Sequence, residues 1–296
     1  MEDKHLLLRL YLISLSGRGL AETTVKTTGY VIKKFLTWLG RKDLREVTPE
    51  VVGSYKQWLK QEPSRQTGKV VSDATVGNYL VLLNDFLLYL VQSGRILANP
   101  LDRMRLTPRG GGKLRPIFTE DEIRTFLEGI GGNDPEDLRE RAFFELMYSS
   151  GLRVAEARGL ELEQVDLDER VLLIKGGKGG KDAYVPFSHR ARKWLITYLT
   201  NARRSIVKKM VRLVDTEYVF IGINGRPSQQ YFRRRFVYFL EKAGLSEKGY
   251  TMHSVRHATG THLLVRGASV RYVQELLRHE DLKTTQVYTR PLDENV

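Results

Sequence analysis

Residues 100–116, PLDRMRLTPRGGGKLRP, divide the chain. Three prolines, three consecutive glycines and five basic residues in seventeen positions are too polar and too glycine-rich for a core. The composition is that of a linker between folded parts. Its positive charge suits a segment running along phosphates.

Upstream, the apolar residues recur at helical spacing. Val31, Ile32, Phe35, Leu36 and Leu39 form one face of a helix over 24–39 that stops at Gly40. Residues 49–59 carry Val51, Val52, Tyr55 and Leu59 on one side. Pro63 to Lys69 reads as a loop, and 75–92 repeats the helical period with Tyr79, Leu83, Phe86, Leu87 and Leu90 before Gly94. Downstream the pattern is mixed. Helices are predicted over 119–129, 135–150, 190–205, 228–243, 251–265, 270–277 and 283–289. In the second of these, Leu138, Ala142, Leu146 and Met147 face inward and Gly151 caps the C-terminus. Two strand-like runs, 171–174 and 183–187, flank the turn KGGKGGKD in a hairpin, and 218–221 reads as a short strand. The expected architecture is therefore two-domain: an all-α N-terminal domain (1–103), a basic Gly/Pro linker (104–116), and a mainly α C-terminal domain (117–296) with a small antiparallel β-sheet.

The chain has 296 residues, the length of one large or two ordinary domains, and 41% of them are hydrophobic, enough for at least one core. Its formal net charge is +13. Residues 1–110 hold 17 basic and 10 acidic side chains, and residues 111–296 hold 31 and 25. Both parts are basic, which a single basic tail would not produce. A polyanion lying across the whole molecule is the natural partner. With no cysteine, disulfides, thiolate metal sites and thiol nucleophiles are excluded. The start, MEDKHLLLRLYLISL, is acidic where a signal peptide is basic, and no run approaches the ~18 uninterrupted apolar residues of a membrane span. A soluble cytoplasmic protein, without membrane partner, is expected.

Four stretches carry residues suited to one anionic centre: Arg153 and Glu156 in SGLRVAE, Lys178 in GKGGK, His253 and Arg256 in HSVRHATGTHLL, and His279 and Tyr288 in LRHEDLKTTQVYT. Two guanidiniums can donate fixed hydrogen bonds to the non-bridging oxygens of a phosphodiester. A His three residues before an Arg shares its helical face and can move a proton. An ammonium in a glycine turn can protonate a departing alkoxide, and a phenol oxygen can act as nucleophile. Such chemistry needs neither metal nor nucleotide, and no P-loop, HExxH or two-metal acidic cluster appears. Singly each residue is an ordinary cap, turn or surface group. The ordered set is what points to phosphoryl transfer.

That set resembles the signature of the tyrosine recombinases (phage-integrase family), most closely the Xer-like branch: Arg153, Lys178, His253, Arg256, His279 and Tyr288 in order. The resemblance covers nearly the whole chain. GLAETTVKTTGYVIKKFLTWLG (19–40) is similar to the first helix of the family's core-binding domain, a SAM-like helical fold, and SDATVGNYLVLLNDFLLYLVQSG (72–94) to its last long helix. It implies a C-shaped clamp on double-stranded DNA carrying a specific recombination site. Tyr288 would form a 3′-phosphotyrosyl link and Lys178 would protonate the leaving 5′-oxygen. Arg153 and Arg256 would hold the phosphate, His253 would move protons, His279 would hydrogen-bond the phosphate, and Glu156 would support the site. Exchange would pass through a Holliday junction in a homo-tetramer, or in a hetero-tetramer with a second recombinase, without cofactor.

The chain departs from the family at three places. Arg278 stands where the family commonly has Gly, adding bulk and charge beside the site. Only eight residues follow Tyr288, fewer than the docking tail of most Xer-like proteins. Residues 72–90 hold no Arg or Lys, so DNA contacts of the N-terminal domain are expected from Thr75, Asn78, Lys33, Lys34 and Lys69, with Arg233 and Arg234 from the C-terminal domain. Two other readings stand beside it: a type IB topoisomerase-like relaxase, which uses the same residues but reseals the original strand, and a non-catalytic DNA-binding accessory protein that uses the clamp only to hold a site, against which the intact residue set argues.

Overall fold

A computed structural model describes residues 3–63, 68, 70–102, 116–132, 134–175, 182–210, 212 and 214–278. By its contacts the chain forms two compact units, residues 1–113 and 114–296.

The first unit is helical. Helix α1 (Lys4–Gly17) starts at Asp3, whose carboxylate accepts the His5 N–H at 2.8 Å. Helix α2 (Glu22–Leu39) ends at Gly40, in positive φ. Helix α3 (Pro49–Gln61) is capped by Thr48 with proline in its first turn, and α4 (Asp73–Gln92) by Ser72. The apolar faces read from the sequence meet here: Ile32 and Phe35 of α2, Val52 and Tyr55 of α3, and Leu83, Phe86 and Leu87 of α4 are fully buried together. Tyr11 of α1 packs on Phe86 with ring centroids 5.2 Å apart. Helix α4 is long and apolar enough to cross a membrane by composition, but Val76, Leu80, Leu83, Phe86, Leu87 and Leu90 make it the core helix of this unit.

The second unit is built around α6 (Pro135–Ser150), which packs against α5 (Glu120–Gly129), α8 (His189–Thr197) and α11 (Met252–Val265). Ala142 and Leu146 are buried and Leu138 partly so, but Arg139, Glu140, Arg141 and Glu145 are buried as well. Each of these charges is paired. Arg139 and Arg235 both bind Glu140, and Arg141 and Arg190 both bind Glu145. Between α6 and the three-stranded antiparallel sheet lies the short α7 (Val154–Arg158). The sheet runs β1 (Val165–Asp166), β2 (Val171–Ile174), β3 (Ala183–Pro186), with Leu172 opposite Val185. The hairpin is as expected; β1, only two residues long, gives no period to read.

Beyond α8 the helix continues through a π-helical turn (Tyr198–Arg203) into α9 (Arg204–Lys209). Residues 218–221 do not form the expected strand. Only Tyr218 makes a bridge, to Glu161; the Val219 N–H donates to Leu160 O, and side chains take up further backbone groups. Tyr198 Oη donates to Val219 O and accepts from Ile221 N, and Arg139 donates to Ile221 O. The run is apolar because Val219, Phe220 and Ile221 are core, not because it pairs. Helices α10 (Gln229–Lys242), α11 and α12 (Val270–Leu277) complete the unit, with Phe232 of α10 stacked on Phe143 of α6 at 3.7 Å. The expected linker core and the helix over 283–289 lie outside the described residues.

Candidate active site

Helix α6 ends at Gly151, in left-handed conformation with φ 58° and ψ 30°. The turn it makes delivers Arg153 as N-cap of α7. Glu156, in the first turn of α7, reaches back so that its Oε2 accepts the Arg153 N–H at 2.7 Å while its Oε1 accepts Arg153 Nη1 at 2.8 Å. One carboxylate thus takes up the backbone N–H at the start of α7 and fixes the first guanidinium. The Arg153 side chain remains 37% exposed.

Arg256 comes from α11 and is 5% exposed in its side chain. Its Nη1 donates to Gly151 O and its Nη2 to Leu277 O. Its Nη1 also lies 4.0 Å from Glu156 Oε2. Helix α11 is fixed against α6 by two further contacts. Thr259 Oγ1 donates to Tyr148 O at 2.6 Å. His262 meets Tyr148 Oη through Nδ1 and Phe118 O through Nε2, each at 2.8 Å. Burial lowers the pKa of His262, which suits a neutral structural imidazole.

A third cation joins from the end of α12. Arg278 Nη2 lies 2.6 Å from Glu156 Oε2, and its own backbone O is 3.5 Å from Arg153 Nη2. One carboxylate therefore serves three guanidiniums. Burial opposes ionisation of Glu156, but Arg278, and after it the N–H and guanidinium of Arg153, hold its carboxyl below the usual range. Two positive charges remain over. The cluster suits binding of an oxyanion whose charge increases during reaction. Among the described residues no group of three or more His, Asp or Glu is placed to hold a metal.

The structure brings Arg153, Glu156 and Arg256 together. His253, in the first turn of α11, is exposed, while Arg256, one turn on, is buried. Lys178, His279 and Tyr288 lie outside the described residues. Sequence reading placed Arg278 beside the site but gave it no partner; an ion pair spanning 122 residues leaves no local pattern. Of the expected DNA contacts, Lys33 and Asn78 are exposed, as are Arg233 and Arg234 on α10. Lys34 lies over the rings of Trp58 and Tyr79, 5.3 and 6.0 Å from their centroids. Thr75 is engaged at the start of α4, its hydroxyl 2.9 Å from Ser72 Oγ. Lys69 is not among the described residues.

Comparison with known proteins identifies relatives over most of the chain. Tyrosine recombinase XerD of Lacticaseibacillus casei is 34% identical over 274 residues, covering 92% of this chain and 89% of its own length. Tyrosine recombinase XerC of Lactobacillus leichmannii is 38% identical over 224 residues, 75% of this chain and 74% of the relative. Among solved structures, XerH recombinase bound to a palindromic difH substrate superposes with a TM-score of 0.74 at 20% identity, covering 94% of this chain and 80% of that one. A lambda integrase dimer bound to a core site gives 0.74 at 18% identity, covering 96% and 94%. The model of the phage integrase family matches residues 116–295, the stretch that holds every arginine, histidine and tyrosine of the expected site, and the chain accordingly belongs to that family, as a Xer-like tyrosine recombinase.

Proposed function

We propose that this chain is a site-specific DNA recombinase in which Tyr288 is the nucleophile. Its phenol oxygen attacks the scissile phosphorus, the P–O5′ bond breaks, and a 3′-phosphotyrosyl ester and a free 5′-hydroxyl result. His253 takes part in moving the phenolic proton. Lys178 supplies the proton to the leaving 5′-oxygen. Arg153 and Arg256 hold the non-bridging oxygens, His279 adds a hydrogen bond to them, and Glu156 orients the arginines. Attack by the 5′-hydroxyl of a second duplex reverses the chemistry on a new partner through a Holliday junction. The assembly is a tetramer on two sites, of this chain alone or with a second recombinase, in the cytoplasm where chromosomal DNA lies. Thr75, Asn78, Lys33, Lys34, Lys69, Arg233 and Arg234 are the proposed DNA contacts outside the reaction centre.

One observation carries the reading: Arg153 and Arg256, from different helices, meet across one carboxylate. The test is a nicked suicide duplex carrying a site selected from random DNA by the protein itself. Wild type should become covalently attached to it, and peptide mass spectrometry should place the link on Tyr288. Tyr288→Phe should form no adduct. Tight binding without any adduct, or attachment at another residue, would overturn the proposal. Plasmid relaxation without exchange between sites would assign the same chemistry to a relaxase.

A further inference from the structure

Position 278 is an unusual place for an arginine. It follows the last turn of α12 with φ 52° and ψ 49°, the left-handed conformation that glycine adopts freely and a side chain strains. Its Nε is buried without a hydrogen-bond partner among the described residues. Against these costs stand a hydrogen bond from Nη1 to Leu276 O at 3.1 Å and a stronger contact, Nη2 to Glu156 Oε2 at 2.6 Å, with both side chains largely buried.

The consequence falls on Arg153. Glu156 Oε2 already accepts the Arg153 N–H, and Arg256 Nη1 is at the outer edge of ion-pair distance. With Arg278 in place the carboxylate is shared three ways. Without it, the same negative charge would act on Arg153 and Arg256 alone, and one positive charge, not two, would remain. A bound phosphodiester carries one negative charge and the pentacovalent transition state two. A second surplus positive charge is therefore worth more in the transition state than in the bound substrate.

Resting on the recombinase reading above, we propose that Arg278 is a positioning residue for strand cleavage: by occupying Glu156 it leaves the charge of Arg153 available to the scissile phosphate. Its loss should slow chemistry and leave DNA binding alone.

The full chain is tested on the suicide duplex described above. The adduct-forming rate at saturating DNA, the half-saturating DNA concentration and the thermal midpoint are all measured. Arg278→Gly should cleave about 10- to 100-fold more slowly. Its half-saturation should stay within about threefold, and its midpoint should be unchanged or higher, because glycine relieves the backbone. Arg278→Lys should recover most of the rate. Glu156→Gln added to Arg278→Gly should speed the glycine variant, since it removes the charge that Arg278 no longer balances. Arg278→Gly cleaving within about twofold of wild type would overturn the inference. So would a rate loss matched by weakened binding or a lowered midpoint, or a lysine variant no faster than the glycine one. Failure of wild type to form any adduct would instead overturn the function proposed above, and this inference with it.

Discussion

Gly151 joins α6 to Arg153, and its replacement by alanine carries two separable costs. Two terms contribute. The backbone sits at φ 58°, where an L-residue costs about 1–2 kcal/mol. An added Cβ would also lie 2.4 Å from Leu277 Cδ2 and 3.6 Å from Thr259 Cγ2. Leu277 is completely buried and packed with Leu264 and Val273, so its methyl has nowhere to retreat, and overpacking of this kind costs about 1–3 kcal/mol. Gly151→Ala should therefore destabilise the C-terminal unit by roughly 2–5 kcal/mol. In a unit of this size that lowers the melting transition by roughly 5–15 °C. Scanning calorimetry of the full chain reads it. A cycle with Leu277→Ala separates the terms. The clash disappears in the double variant while the backbone cost stays, giving a favourable coupling of about 1–3 kcal/mol. Gly151→Ala within about 0.5 kcal/mol of wild type, or a coupling indistinguishable from zero, would refute the reasoning. Because Gly151 O and Leu277 O are both acceptors for Arg256, the same variant should also impair cleavage.

Three further outcomes are expected. Glu140→Ala removes the carboxylate that Arg139 and Arg235 share in the interior, and the stranded guanidiniums should cost about 3–5 kcal/mol in urea denaturation. Burial opposes ionisation of Glu122, but hydrogen bonds from the Thr119 N–H, Tyr250 and Lys248 pull its carboxyl down to about 2. Its contribution, about 1–2 kcal/mol after solvent screening, is thus fully present above the ordinary carboxyl pKa of 4.5 and lost as the pH falls toward 2. Glu122→Gln should flatten the stability profile in that window alone. Arg233→Ala and Arg234→Ala should each reduce the slope of log affinity against log salt by about 0.9, measured by titration of the selected duplex; an unchanged slope would remove that residue from the phosphate contacts.

Helices α2, α3, α4 and α10 were legible because each has one apolar stripe, and α3, α4 and α10 also start at a polar cap. Helix α1 was less so: Leu6, Leu7, Leu8, Leu10, Leu12 and Ile13 wrap the helix without a single face, and Leu6, Leu10 and Ile13 remain exposed. Helix α6 shows the opposite failure. Its charged residues look like a solvated side, yet they are interior because each finds a partner on α8 or α10 or within α6 itself. At the site, the types and order of Arg153, Glu156 and Arg256 announce anion chemistry. That they share one carboxylate, and that Arg278 joins them, depends on where α12 ends in space, which no local spacing encodes.

The π-helical turn at Tyr198–Arg203 acts as a shim in the long helix that contains it. One widened turn lets Tyr198 and Arg203 face the same neighbour, so that the tyrosine hydroxyl and the guanidinium together take up the carbonyls of Thr216, Tyr218 and Val219. Excising a single residue there would restore ordinary winding and rotate everything downstream by about 100°. Arg203 would swing off its acceptors, and a stretch held by a single bridge would lose the side-chain donors that supplement it. Length, more than side-chain identity, is thus the quantity that natural variation must conserve in this helix.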